Sequence, residues 1–155
     1  MLSTDCHRVK STVLVVDDSQ EMRRYLRLLL ETDSYMVETA SDGIEALERV
    51  RNGSVPSLVL LDMQMPGMNG LETLCSLRTL CPELKVIMCS AVDDPSKINQ
   101  AVSLGAQGYL VKPIQYLYLS AAIERCLTGQ RVLPSGQALP ANVVPMRSPA
   151  RHYEN

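Results

Sequence analysis

Polar groups follow several short apolar runs in this chain, and their types suggest a chemistry before any fold is considered. Val13-Leu-Val-Val16 runs into Asp17-Asp18, and Leu58-Val-Leu-Leu61 into Asp62. The run Lys85–Cys89 is followed by Ser90, and Tyr109–Val111 by Lys112-Pro113. If these runs lie side by side and point the same way, the polar groups gather at one edge. The carboxylates of Asp17, Asp18 and Asp62 would then repel one another, and keeping them ionised at neutral pH requires a cation. A hard divalent ion with oxygen ligands fits, and Mg²⁺ fits best, because it binds one or two carboxylates and completes its octahedron with waters and a phosphoryl oxygen. A metal ion, the Lys112 ammonium and the Ser90 hydroxyl are the groups a phosphoryl unit needs around its oxygens as it transfers. A carboxylate can itself be the nucleophile, giving an aspartyl phosphate. Asp62 is the best candidate, since it stands alone after the most apolar run, whereas the Asp17-Asp18 pair is suited to holding the ion.

The elements that must position these groups are readable from periodicity. Thr12–Val16, Tyr35–Thr39, Leu58–Leu61, Lys85–Cys89 and Tyr109–Val111 are too short for helices and read as strands, several of them buried on both faces. Between them, Ser19–Glu31 places Met22, Leu26, Leu29 and Leu30 on one face, with Asp18 or Ser19 as N-cap. Asp42-Gly-Ile-Glu45 has capping-box spacing ahead of Ala46, Leu47 and Val50, and Gly53 is placed to end that helix. Leu71, Leu74 and Leu77 mark a third helix. Asp94, Pro95 and Gly105 bracket a fourth, and Leu119, Ala122, Ile123 and Cys126 line a fifth. The alternation predicts an α/β domain, a doubly wound five-stranded parallel sheet with helices on both faces, and a site at the carboxyl ends of the strands. Residues 1–10 read as a disordered lead-in, 11–128 as the domain, and 129–155, with Pro134, Pro140, Pro145 and Pro149, as a flexible tail or linker.

Composition removes other classes. The chain has 155 residues, a net charge of −2 and 46% hydrophobic residues, enough for a core that needs no disulfide or structural metal. Nucleic acid is not an expected partner. The charge lacks a basic tilt, the longest basic cluster is Arg23, Arg24 and Arg27, and there is no Phe or Trp to stack on bases. The cysteines, Cys6, Cys75, Cys81, Cys89 and Cys126, are odd in number and form no C-x-x-C pair, which suits a reduced chain. His7 and His152 lie in the terminal segments, so neither a His-based metal site nor a catalytic triad is expected in the body of the fold. No apolar run approaches a membrane span, and a cytoplasmic location is expected.

Taken together, Val15-Val-Asp-Asp-Ser19, Asp62-Met-Gln-Met-Pro-Gly-Met-Asn-Gly-Leu-Glu72, Ser90-Ala91 and Gly105-Ala-Gln-Gly-Tyr-Leu-Val-Lys-Pro113 resemble the receiver domains of two-component response regulators, in particular the single-domain, CheY-like kind with its flavodoxin-like fold. The resemblance covers residues 11–128. It implies that Asp62 accepts a phosphoryl group from the phosphohistidine of a sensor histidine kinase or phosphotransfer protein. It also implies that Asp18 and Asp62 ligate Mg²⁺ directly, Asp17 through water, and Gln64 through its backbone carbonyl. Ser90 and Lys112 would contact the phosphoryl group, Tyr109 would turn inward as Ser90 moves, and the Lys112–Pro113 peptide would be cis. The readout face for a downstream protein would be the fourth helix, fifth strand and fifth helix. The role is signalling rather than turnover.

Taken singly, each feature has a plainer reading. An Asp-Asp pair caps helices, Ser90 is a loop hydroxyl, Tyr109 a core aromatic, and Arg23 and Arg24 a solvated face. Met63, Met65 and Met68 are expected to pack around the loop rather than bind a soft metal. Among rivals, an aspartyl-phosphate phosphatase would carry an acid where Gln64 stands, and a flavodoxin-like electron carrier would not place Asp17-Asp18 beside a cofactor phosphate. A degenerate receiver would lack part of the set, and a receiver severed from a longer regulator remains open. Gln64 and Val92, two residues beyond Asp62 and Ser90, are expected to leave a hydrolytic water poorly oriented and the phosphorylated form not especially short-lived.

Overall fold

The computed structural model describes residues 11–134. The elements alternate as β1 (Thr12–Val16), α1 (Gln20–Thr32), β2 (Met36–Ala40), α2 (Gly43–Arg51), β3 (Leu58–Asp62), α3 (Gly70–Leu80), β4 (Lys85–Ser90), α4 (Pro95–Ser103), β5 (Gly108–Val111) and α5 (Tyr116–Leu127). All strand pairs are parallel, in the order β2-β1-β3-β4-β5. The alternation of helices and strands had implied this doubly wound sheet.

Strand periodicity builds the two cores. Val13, Val15, Leu58 and Leu60 point to the face covered by Leu26 and Leu30 of α1 and by Leu119, Ile123 and Cys126 of α5. Leu14, Val16, Val59 and Leu61 point the other way, onto Leu47 of α2, Leu74 and Leu77 of α3 and Ile98 of α4. Within the central strands the stretches Val13–Val16, Leu58–Leu61 and Val86–Cys89 are apolar at every position because both faces are covered.

Helix starts follow their caps. Ser19, not Asp18, caps α1, its hydroxyl accepting from Met22 N at 3.2 Å, which leaves Asp18 for the site. The capping box expected at Asp42 is only half present. Asp42 accepts from Glu45 N at 2.8 Å, but the Glu45 carboxylate turns to the Ser41 amide and hydroxyl, both at 2.9 Å. Ser41 draws the carboxylate because it offers two donors, where Asp42 offers one amide. The full reciprocal box lies at α3, between Asn69 and Glu72, where the apolar stripe had been the only sequence signal. Asp94 with Pro95 opens α4, and Gly53 and Gly105, both at positive φ, follow α2 and α4.

Past residue 128 the chain keeps packing. Gly129 turns at φ 90°, and Val132 forms a parallel bridge to Gly108 at the outer edge of β5. Val132 and Leu133 of the expected flexible tail therefore pack on the sheet, and residues 1–10 and 135–155 fall outside the described residues. No helix among the described residues is long and apolar enough to cross a membrane.

Candidate functional site

Strand order places the site. β1 is flanked by β2 and β3, so the helices after β1 and β3 leave on opposite faces and open a crevice at their carboxyl ends. Val16 pairs with Leu61, so the next residues, Asp17 and Asp62, stand side by side. Asp17 is 2% exposed and Asp62 5%, whereas Asp18 faces solvent. Carboxylate oxygens of all three lie within 4.8 Å of one another.

Lys112 reaches in from the end of β5. Its Nζ donates to Asp17 Oδ2 at 3.1 Å and to Asp62 Oδ1 at 3.2 Å, while its backbone amide is held by Ser90 O at 2.7 Å. The Lys112–Pro113 peptide is cis. One ammonium cannot neutralise three carboxylates, and the electrostatics record the deficit. Burial, and after it the charge of Asp17, push the Asp62 carboxyl above its ordinary value, against the opposing pull of Lys112 and the Gln64 amide. Burial alone would lower the Lys112 ammonium, but its bonds to Asp17 and Asp62 prevail and hold it above the usual lysine value. The donor set is hard oxygen with excess negative charge at a strand-end crevice, and it fits a divalent cation of the Mg²⁺ type.

Loop geometry steadies the carboxylates. Ser19 N donates to Asp17 Oδ1 at 2.9 Å, and Gln64 N to Asp62 Oδ1 at 3.3 Å. Arg23 does not belong to a purely solvated face. It is partly buried and donates from NH1 to Asp17 O at 2.6 Å, bracing the β1–α1 loop. The spacing holds a faint signal for this, since Arg23 sits one helical turn after the N-cap, above the loop it grips. Gly70 is a second residue that the sequence reading passed over. A Cβ there would strike the Asp62 carbonyl and the Met63 backbone, so only glycine lets α3 begin this close to β3.

Ser90 and Tyr109 stand beyond the acidic group. Ser90 is 1% exposed and its hydroxyl accepts from Val92 N at 3.1 Å. The Tyr109 ring is fully buried, with its hydroxyl donating to Val92 O at 2.9 Å. Burial raises the phenol above its ordinary value. A cleft of about 440 Å³ opens beside Ser90, with Gln64, Val92, Met63 and Met65 among its walls. Met63 and Met65 are buried and Met68 packs against the same core, as expected of packing residues. Cys89 pairs in register with Asp62, and burial pushes its thiol up to about 12, which makes it inert.

Fold and pocket together define a flavodoxin-like α/β domain with an acidic, lysine-braced crevice at its switch point. The chain belongs to the response regulator receiver domain family, whose profile matches residues 13–124. It is 36% identical over 116 residues to the chemotaxis protein CheY of Halobacterium salinarum, an alignment covering 75% of this chain and 96% of that one. It is 37% identical over 121 residues to the response regulator MprA of a Mycobacterium species, covering 78% of this chain but 49% of MprA. Among solved structures, Vibrio cholerae CheY4 superposes with a TM-score of 0.71 at 31% identity, covering 75% of this chain and 98% of that one. A CheY-like receiver from Methanospirillum hungatei gives 0.73 at 28% identity, covering 77% and 94%. The protein is a two-component receiver of the CheY-like kind.

Proposed function

We propose that this receiver accepts a phosphoryl group on Asp62 from the phosphohistidine of a sensor histidine kinase or phosphotransfer protein, and signals by a change of shape. The observation that carries the reading is the bridging of Asp17 and Asp62 by Lys112 Nζ, with Asp18 completing the acidic group. A carboxylate oxygen of Asp62 attacks phosphorus, the P–O bond forms as the P–N bond breaks, and the imidazole leaves. Asp18 and Asp62 directly, Asp17 through water and the Gln64 carbonyl would hold Mg²⁺, which when bound offsets charge on the carboxylates and on the phosphoryl oxygens. Lys112 gives up its bond to Asp62 and pairs with a phosphoryl oxygen, and the Ser90 hydroxyl swings from Val92 N to donate to another. Val92 also accepts the Tyr109 hydroxyl, so this swing reaches the α4–β5–α5 surface through one residue.

The role is signalling rather than turnover. Gln64 has an amide where a phosphatase needs an acid, and the output is contact with a protein rather than nucleic acid. We place the chain in the cytoplasm, consistent with Cys75, Cys81, Cys89 and Cys126 being free thiols. Relatives such as MprA, of which this chain spans about half, keep open the alternative that it is the receiver of a longer regulator. Incubation with Mg²⁺ and acetyl phosphate or a histidine kinase tests the assignment. Acid-labile phosphate is expected on the wild type and not on Asp62→Ala, and its persistence in the variant overturns the role of Asp62.

A further inference from the structure

The two edges of the sheet are guarded differently. β2 carries Glu38, a charged residue of the kind that blunts an edge, whereas β5, Gly-Tyr-Leu-Val, carries no charge. What lies against β5 is the chain's own segment after α5. Val132 N donates to Gln107 O at 3.1 Å, and Val132 O accepts from Tyr109 N at 2.9 Å. The Gln107 side chain donates to Gln130 O at 3.0 Å. The segment alternates as a strand does, with Val132 packing on the α1–α5 core and Leu133 on the α2–α4 core. Gly108 permits the approach, because a Cβ there would sit 3.1 Å from Val132 O.

This contact is built to be short. The outward-facing groups of β5 recur every second residue, so the next pair after Gln107 C=O and Tyr109 N–H is Tyr109 C=O and Val111 N–H. The strap residue due opposite them is Pro134, which has no N–H to give. The ladder therefore stops after Val132, with Leu133 and Pro134 resting on the wall of a groove shared with Val111, Ile114 and Tyr118.

We propose that residues 130–134 form a releasable strap that occupies the outer edge of β5, so that the β5 edge of a second copy of this chain pairs with it only when the strap leaves. The strap stands on its own geometry. Its control of output rests on the reading of α4–β5–α5 as the readout face. Because its carbonyl holds the amide of Tyr109, release of the strap and movement of Tyr109 are coupled.

The test uses the full chain with Val132→Pro, which deletes the donor to Gln107, and Leu133→Asp, which lifts the other face of the strap while keeping both bonds possible. Hydrogen exchange at the Tyr109 amide is expected to quicken by about tenfold or more in both variants. Sedimentation velocity is expected to show concentration-dependent self-association of the variants and a constant mass for the wild type. Unchanged exchange overturns the strap, and faster exchange with unchanged mass overturns its gating of the edge. Acetyl phosphate labelling of Asp62 is run alongside and is expected in all three chains. Its absence throughout counts against the phosphoacceptor reading and leaves the exchange result to judge the strap.

Discussion

Asp62 is held where its charge is least welcome, buried beside Asp17 with a single shared ammonium. Its native pKa is raised, so the native state binds its proton more tightly than the unfolded chain. The sign follows: this favours the fold below the unfolded carboxylate value, and the advantage is lost as pH rises through the native value. At neutral pH the wild type thus carries a penalty that a neutral amide removes. In chelator at pH 7, Asp62→Asn is expected to be more stable to urea by about 1 kcal/mol, with the gain shrinking toward pH 4. An Asn variant less stable than wild type at pH 7 would contradict this account of the pocket. The same crowding makes the pocket useful, since a cation that relieves it would be bound by the energy released.

At the scale of elements, the approach of α3 to β3 sets the position of Asp62. Asn69 and Glu72 close the capping box, Gly70 N donates to Met63 O at 3.0 Å, and Gly70 lies against the Asp62 carbonyl. Adding one methyl here has no soft neighbour to displace, because the obstructing atoms are backbone. Gly70→Ala is expected to cost about 2 kcal/mol in denaturant unfolding and to slow acetyl phosphate labelling several-fold, as the Asp62 carboxylate is pushed off line. Gly53→Ala is the control. Its positive φ gives a strain of about 1 kcal/mol, but nothing lies within 4 Å of the added methyl, and labelling is expected to be unchanged. Equal labelling rates in the two variants would show that the α3 approach does not position Asp62.

For the whole molecule, the acidic pocket and the fold share one free-energy balance. Bringing Asp17, Asp18 and Asp62 together requires strands β1 and β3 in register, so a cation that binds all three favours only the folded chain. At a Mg²⁺ concentration ten times its dissociation constant, the gain is about 1.4 kcal/mol, an increase of roughly 3–6 °C in melting temperature for a domain of this size. Asp18→Asn removes an acidic group, proposed above as a ligand, that is exposed and free of structural bonds here. It is expected to leave the melting temperature in chelator unchanged and to abolish most of the Mg²⁺ increment in scanning calorimetry. An increment of full size in the variant would place the ion elsewhere.

The order of strands and helices, the two-sided core and the gathering of Asp17, Asp62, Ser90 and Lys112 at strand ends were all legible in the sequence. Each depends on short-range pattern: apolar runs of strand length, stripes of helical period, and a polar residue where a run stops. Distance decided the rest. Glu45 spent its carboxylate on Ser41 rather than on the cap, because Ser41 presented two donors to it. Arg23 looked like surface charge until the β1–α1 loop folded beneath it. Gly70 and Gly108 are ordinary glycines in the chain and become necessary only where another backbone passes close by. Val132 lies in a stretch with no periodicity, and the sheet recruits it because β5 has an uncovered edge. Local periodicity determined which elements form and which groups they end in, since those depend on neighbours along the chain. The tertiary structure decided what touches them, since an approach between distant backbones leaves no mark on spacing.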